Sequence, residues 1–263
     1  MGIFRMRLAG IATASILAAA AALMSGGSVA AASSYTCTGG SIPAGTYSTL
    51  FVKGPAPCTV DAGNVSVTHS LVVGRSAILN SAFASSNLSV LGNLLVRPKG
   101  ILVLGCEPDA FPCMDDSSSA NNDWVGGNLT ADHALAVIVH HAGVAHSIYQ
   151  THGGGGMSCS PLSALGGSPA YSTYEDVTVG GNVTIFALRS CWLGVIRTQV
   201  HGSVVFVNNV LGDPDGNEIV TNVIGGDLFC YRNSPKPQVG DSTGSPNIVG
   251  GRELGQCAHL DSL

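Results

Sequence analysis

Val179-Gly180-Gly181-Asn182-Val183-Thr184-Ile185-Phe186 is a glycine pair, a small polar residue, and then an alternation of apolar and polar side chains. Related stretches occur at Gly126-Gly127-Asn128-Leu129-Thr130, His201-Gly202-Ser203-Val204-Val205 and Gly225-Gly226-Asp227-Leu228-Phe229, with weaker versions at Gly92-Asn93-Leu94, Gly63-Asn64-Val65 and Gly250-Gly251-Arg252. With the second glycine as anchor, the repeats fall at 127, 181, 202, 226 and 251, and Gly154 divides the longest gap into two steps of 27 residues. A period of this size marks stacked units, each too small to bury its own apolar face. The apolar pattern has period two, and no segment beyond the first thirty residues carries a helical stripe. Short strands, glycine turns and a repeat of about 25 residues predict an all-β, single-domain right-handed parallel β-helix, a solenoid with disulfide-strapped ends.

The columns of this alignment carry the prediction further. Two residues past the anchor stand Leu129, Val183, Val204 and Leu228; four past it stand Ala131, Ile185, Phe206 and Cys230. Alternate side chains of a strand face opposite ways, so these columns should point inward and Thr130, Thr184, Val205 and Phe229 outward. The next-to-anchor column, Asn128, Asn182, Ser203 and Asp227, reads as a turn ladder of residues that tolerate left-handed backbone. Two residues before the anchor, His152 falls among Val125, Val179, Val200, Ile224 and Val249, which reads it as a core histidine.

Residues 1–32 read as a secretory signal peptide: Arg5 and Arg7, an Ala-rich apolar run, and small residues at Ser28-Val29-Ala30 and Ala30-Ala31-Ala32. Residues 33–263 are then one secreted β-helix domain without a second long apolar run, so no membrane span is expected. Without Arg5 and Arg7, nine basic residues face sixteen acidic ones, a net charge of −7 that disfavours nucleic acid and anionic lipid. The eight cysteines all lie in this part, an even number that argues for disulfides in an oxidising compartment. Eight cysteines allow about 105 pairings and the sequence does not choose among them; sequential pairing, Cys37–Cys58, Cys106–Cys113, Cys159–Cys191 and Cys230–Cys257, is the expectation. No tight Cys-x-x-Cys pair supports a metal instead.

Cys37 near the mature start, the Gly-Asn-Val-Thr turns, Ser190-Cys191-Trp192-Leu193-Gly194, Asp213-Pro214-Asp215-Gly216-Asn217-Glu218 and the closing Val249-Gly250-Gly251 through Cys257 resemble a group of uncharacterised secreted bacterial β-helix proteins. The resemblance spans most of residues 33–263. It implies the right-handed parallel β-helix shared with pectate lyases, polygalacturonases and bactofilin scaffolds, and it brings no established activity. No polygalacturonase-type aspartate motif is present to carry over.

Candidate chemistry is sparse. There is no Gly-x-Ser-x-Gly elbow, His-Glu-x-x-His helix or phosphate loop. Asn64, Asn87, Asn128 and Asn182 each open an Asn-x-Ser/Thr sequon, read here as turn chemistry. Five of the eight histidines lie between 133 and 152, but His140 and His141 are neighbours on opposite faces of any strand, which weakens a zinc reading. Asp213, Asp215, Asn217 and Glu218 form the densest oxygen-ligand cluster, a candidate calcium turn that lacks the glycine and the closing glutamate of an EF-hand. Five residues before the anchor stand Tyr149, Asp176, Arg197 and Thr221, which should place Asp176 beside Arg197. That row is either an exposed ion-pair ladder or a groove with Tyr149 and Tyr174 for sugar stacking and Asp176 and Arg197 as catalytic candidates, calcium at the acidic turn supplying positive charge. Two functions fit: binding or cleavage of an extracellular polysaccharide or cell-wall glycan along one face, by a polysaccharide lyase or glycoside hydrolase if an enzyme, or a non-catalytic scaffold or adhesion protein. Oligomeric state is not legible.

Overall fold

The computed structural model describes residues 32–239 and 244–260. The proposed signal segment, apart from Ala32, lies outside them. From Ala32 on, the contacts form one compact unit. Its helical content among the described residues is 3-10 alone, the turn Ser163–Leu165 and Leu260. Among the described residues every pairing between strands is parallel, the lone antiparallel bridge being Glu107–Phe111 in a loop, and these strands collect into a seventeen-stranded, an eight-stranded and a two-stranded sheet.

The register shows how the repeat builds these sheets. In one row Val183–Phe186 pairs with Val204–Val207, and that strand with Leu228–Tyr231; Val183, Val204 and Leu228 stand directly in line, as do Ile185, Phe206 and Cys230. All six are buried, while Thr130, Thr184, Val205 and Phe229 are half-buried on the other side. A second row runs through Leu88–Val90, Asp123–Val125, Ala142–Val144, Thr178–Val179, Gln199–Val200 and Val223–Ile224. The long strand Val65–Val73 pairs with both rows and so joins them into the large sheet. The eight-stranded sheet takes Ile78–Asn80, Ile101–Leu104, Ala136–His140, Tyr171–Glu175, Trp192–Ile196 and Asn217–Val220 in order. The inner faces of all three rows meet in one apolar cluster that includes Val139, Val144, Ile148, Leu193, Phe206 and Ile219.

Two expectations about the repeat are corrected. The tier between Leu129 and Val183 begins at Ile148, not after Gly154: Leu129 pairs with Ile148 and Ile148 with Val183, so the steps are 19 and 35 residues rather than 27 and 27. The anchor column is a chain of backbone hydrogen bonds, His146 N to Gly127 O, Gly181 N to His146 O, Gly202 N to Gly181 O and Gly226 N to Gly202 O, and His146 holds the place given to Gly154. Gly153 to Gly156 instead open a loop, residues 152–170. His152 is therefore exposed, not a core residue; its ring stacks on His133 with centroids 4.7 Å apart.

Packing between tiers explains the glycine pair. Gly180 and Gly181 have ordinary φ values, but a Cβ on either would collide with the preceding tier: with the Ala145 carbonyl, and with Ser147 Oγ and the His146 carbonyl. Close approach between tiers, not left-handed backbone, demands glycine there. The polar column beside it is a hydrogen-bond ladder. Asn128 Oδ1 accepts from Ser147 N, Ser147 Oγ from Asn182 N, Asn182 Oδ1 from Ser203 N, and Ser203 Oγ from Asp227 N, at 2.8–3.0 Å. The left-handed positions lie at two other corners, in the columns Lys99, His133, His152, Ala187, Asn208, Arg232 and His141, Asp176, Arg197, Thr221.

The four disulfides join Cys37–Cys58, Cys106–Cys113, Cys159–Cys191 and Cys230–Cys257, and no cysteine is free. Two of them hold the loops that lengthen the 35-residue tiers, residues 105–122 and 152–170. Both loops lie over the outer face of the eight-stranded sheet, where Phe111 and Leu165 pack on Ile101, Ala136 and Ile138.

Candidate functional site

The outer face of the eight-stranded sheet carries the site. In Ala136–His140, Val137 and Val139 enter the main core, which leaves Ile138 and His140 on the opposite face. The next strand repeats this: Tyr174 points in, while Tyr171, Thr173 and Glu175 point out. His140 and Glu175 stand in register. Left-handed turns then place Asp176 and Arg197 side by side, with Asp176 N donating to Ile196 O and Arg197 N to Val220 O. Opposite them the loop 105–122 returns on itself through a bridge between Glu107 and Phe111, strapped by Cys106–Cys113. Glu107, Asp109, Ala110, Glu175, Asp176 and Arg197 line a cleft of about 460 Å³.

Behind Glu107 and Glu175 the His140 ring is only 3% exposed and stacks on Phe111, centroids 4.6 Å apart and planes within 11°. Its Nδ1 lies 3.5 Å from Glu107 Oε1 and 3.6 Å from Glu175 Oε2. Neither His140 Nδ1 nor Glu107 Oε1 makes a hydrogen bond, and Thr173 Oγ1, on the same face as Glu175, is likewise buried without one. Glu175 is shared: Arg197 Nη2 donates to its Oε1 at 2.5 Å. The Asp176 carboxylate accepts from Arg197 Nε at 3.0 Å and from Nη2 at 2.7 Å. These bonds, Asp176 first and Glu175 next, raise the Arg197 pKa further above its already high ordinary value. Arg197 is a permanent cation that holds two carboxylates; it does not abstract protons.

At the other end of the same strands, the Trp192 ring lies over Gly194, where a Cβ would meet it, and its Nε1 donates to Glu218 Oε1 at 3.0 Å. Tyr171 meets Trp192 edge-on, and burial lifts its phenol to about 12. An apolar groove of about 280 Å³, bounded by Ile101, Phe111, Ile138, Leu165 and Tyr171, lies between this aromatic pair and Phe111.

Of the residues singled out in the sequence, Asp176 and Arg197 come together as expected. The others do not join them. Tyr149 pairs with Thr130 and Thr184 in the large sheet; the true neighbour of Asp176 in the preceding tier is His141, whose backbone N donates to Glu175 O. The displacement follows from placing the anchor at Gly154. Tyr174 has no exposed surface, and its hydroxyl donates to Gln150 Oε1 at 2.9 Å inside the core, so it cannot stack on a sugar. The calcium set does not converge. Asn217 lies in register with the core residue Leu193 and donates from Nδ2 to Pro235 O, whereas Glu218 lies in register with Gly194 on the outer face and meets Trp192. Adjacent strand residues face opposite ways, so the two cannot share an ion through their side chains. Asp213 Oδ1 is taken by Asp215 N at 3.1 Å, and the turn leads into the start of Asn217–Val220, far from the Glu175 end of the sheet. Among the described residues, Asp132, His133 and His152 bring three donor atoms within 4.8 Å of one another; Asp213, Asp215 and Glu218 do not.

Glu107, Glu175 and His140 were not assigned a role from the sequence. His140 could be seen as one of a histidine group, but Glu107 reaches it only through a loop whose path the repeat does not encode. Comparisons with protein-family models, curated proteins and solved structures find no match for this chain.

Proposed function

We propose that the protein is a secreted, right-handed parallel β-helix of the kind its turns and cysteines resemble, and that it binds an extracellular glycan in the cleft between residues 105–122 and the eight-stranded sheet. All-parallel pairing, tier-by-tier register and a core shared by three rows support the architecture, and right-handed connection is the rule for parallel strands joined across a sheet. Four disulfides fit an extracellular setting, and no described helix is long and apolar enough to cross a membrane.

One observation carries the functional reading: Glu107 and Glu175, half-buried, line an open cleft with the buried His140 behind them, and His140 Nδ1 and Glu107 Oε1 make no hydrogen bond. Burying a histidine whose only polar neighbours are long contacts to two carboxylates is costly, so a face serving only as structure would favour apolar residues there. A glycan hydroxyl can donate to a carboxylate of the cleft, and a longer chain would run along the strands toward the Tyr171–Trp192 pair at their other end. If the site cleaves its ligand, Glu107 is the carboxylate free to move a proton, with His140 beside it and Glu175 fixed by Arg197. The acidic floor favours a neutral glycan.

A glycan array probed with the secreted protein, followed by reducing-end and unsaturated-product assays on any hit, tests this. Binding that Glu107→Gln and His140→Gln abolish while the melting temperature holds is the expected result. The rival reading, a non-catalytic scaffold or adhesion protein, is favoured by the saturated Arg197 ion pairs, which form a ladder of the kind that only joins tiers. No glycan bound by the parent, with both variants merely less stable, would establish that reading.

A further inference from the structure

A second cavity, of about 460 Å³, lies at the corner between the large sheet and the eight-stranded sheet, and shares no lining residue with the cleft. Lys99 and His133 occupy successive left-handed positions there, and Lys99 N donates to His133 O. Arg75 enters from the tier before and Arg189 from a later one, and all three cations line the space and are exposed. The remaining wall is Pro98, Ala134, Leu135 and the backbone of Gly153, Gly155 and Gly156. Four successive glycines with φ between 75° and 90° let the loop lie flat, and a Cβ at Gly153 would collide with the Ala134 carbonyl.

What singles out this cavity is the disposition of charge. Arg75, Lys99 and Arg189 make no salt bridge among the described residues. Elsewhere Arg197 and Arg252 pair with carboxylates, Lys53 and Arg232 lie over the rings of Phe51 and Tyr231, and Arg97 and Lys236 make no salt bridge among the described residues but line no cavity with these three. An acidic chain that gathers three unpaired cations around one concavity forgoes attractions it could have had on the rest of its surface. It creates a local positive potential that focuses on an anion. Asp132, His133 and His152 offer metal-type donors nearby, but His133 Nδ1 is already bonded to Asp132 at 2.7 Å, and a dication there would face the repulsion of Lys99 and the two arginines.

We infer that this cavity binds a compact organic anion, a carboxylate or phosphate held by Arg75, Lys99 and Arg189 on a body whose apolar face packs against Pro98, Ala134 and Leu135. The guanidinium forks suit a planar or tetrahedral oxyanion, and the apolar wall favours a ring-sized body over a bare ion. The inference does not rest on the glycan reading of the cleft, and failure of either leaves the other readable.

Calorimetric titration of the secreted protein with glucuronate, glucose 6-phosphate, glucose and inorganic phosphate, at low salt and at about 0.15 M salt, tests it. At least one of the two sugar anions should bind, more weakly at the higher salt, and glucose should not. Arg189→Gln and Lys99→Gln should each weaken that binding about ten-fold or more with an unchanged melting temperature, as expected for exposed cations that touch the ligand. The inference is overturned if neither sugar anion binds, if both variants bind like the parent, if inorganic phosphate binds as tightly as the sugar anions, or if binding appears only with added zinc.

Discussion

Asp123 has no exposed surface, and its carboxylate accepts from Ser81 Oγ, Leu88 N and Gly105 N at 2.5–3.0 Å. Burial pushes its pKa up to about 6, against the pull of these hydrogen bonds. A carboxyl that binds its proton more tightly in the folded state stabilises the fold at low pH and loses that contribution as pH rises. Stability should therefore fall between about pH 4 and pH 6, by about 3 kcal/mol at most for a shift of roughly two units, and level off above. Asp123→Asn should be less stable than the parent below about pH 4, because its amide meets the Gly105 N–H, yet should lack the fall between about pH 4 and pH 6. Denaturant unfolding across that range checks it; an identical slope in the variant would assign the effect to another group. Arg197 is much more solvated than Asp123. Its side chain is 38% exposed, so Arg197→Ala should cost only about 1 kcal/mol despite three short contacts, and Arg197→Lys should recover little of it because the fork is lost.

Between tiers, the polar ladders divide by burial. Asn209 is fully buried: its Oδ1 accepts from Leu188 N, and its Nδ2 donates to Ile185 O and Asn233 Oδ1. Asn222 and Asn247 make a matching ladder at the other corner. These side chains hold backbone groups where the strands end and no ladder partner exists. Asn209→Ala should cost about 2–3 kcal/mol, since it strands a buried N–H and a buried carbonyl. Asn182 does a similar task on the surface, accepting from Ser203 N at 2.8 Å, and water can replace it, so Asn182→Ala should cost roughly 0.5–1 kcal/mol. Equal losses in chemical denaturation would refute the burial argument.

For the molecule as a whole, tiers contact mainly their neighbours, so the ends and the long loops decide where it opens first. Cys230–Cys257 closes the last tier across 27 residues and Cys159–Cys191 pins the 152–170 loop across 32. Chain entropy gives each roughly 3–4 kcal/mol. The paired Cys230→Ser, Cys257→Ser variant should lower the global unfolding free energy by about that amount. The paired Cys159→Ser, Cys191→Ser variant should instead expose Leu162 and Leu165 to chymotrypsin in a folded protein. Resistance of that loop to cleavage would show that Leu165 packing on the sheet, not the disulfide, holds it.

Period-two alternation and a repeated glycine turn were enough, in the sequence alone, to place Val183, Ile185, Val204 and Phe206 on the inner face and to set Asp176 against Arg197, because register between equal tiers follows from counting residues. The cysteine spacing did not decide the pairing; the structure joins each cysteine to its sequence neighbour, as expected. Counting fails where tiers are unequal. Steps of 19 and 35 residues average to 27, so Gly154 passed for an anchor and carried Tyr149 and His152 to the wrong faces. Only the tertiary structure could return a 105–122 loop over the sheet to set Glu107 against His140 and Glu175, and gather Arg75, Lys99 and Arg189 around one cavity. Both arrangements depend on where long insertions fold back, which is decided by packing against a surface that the sequence does not display.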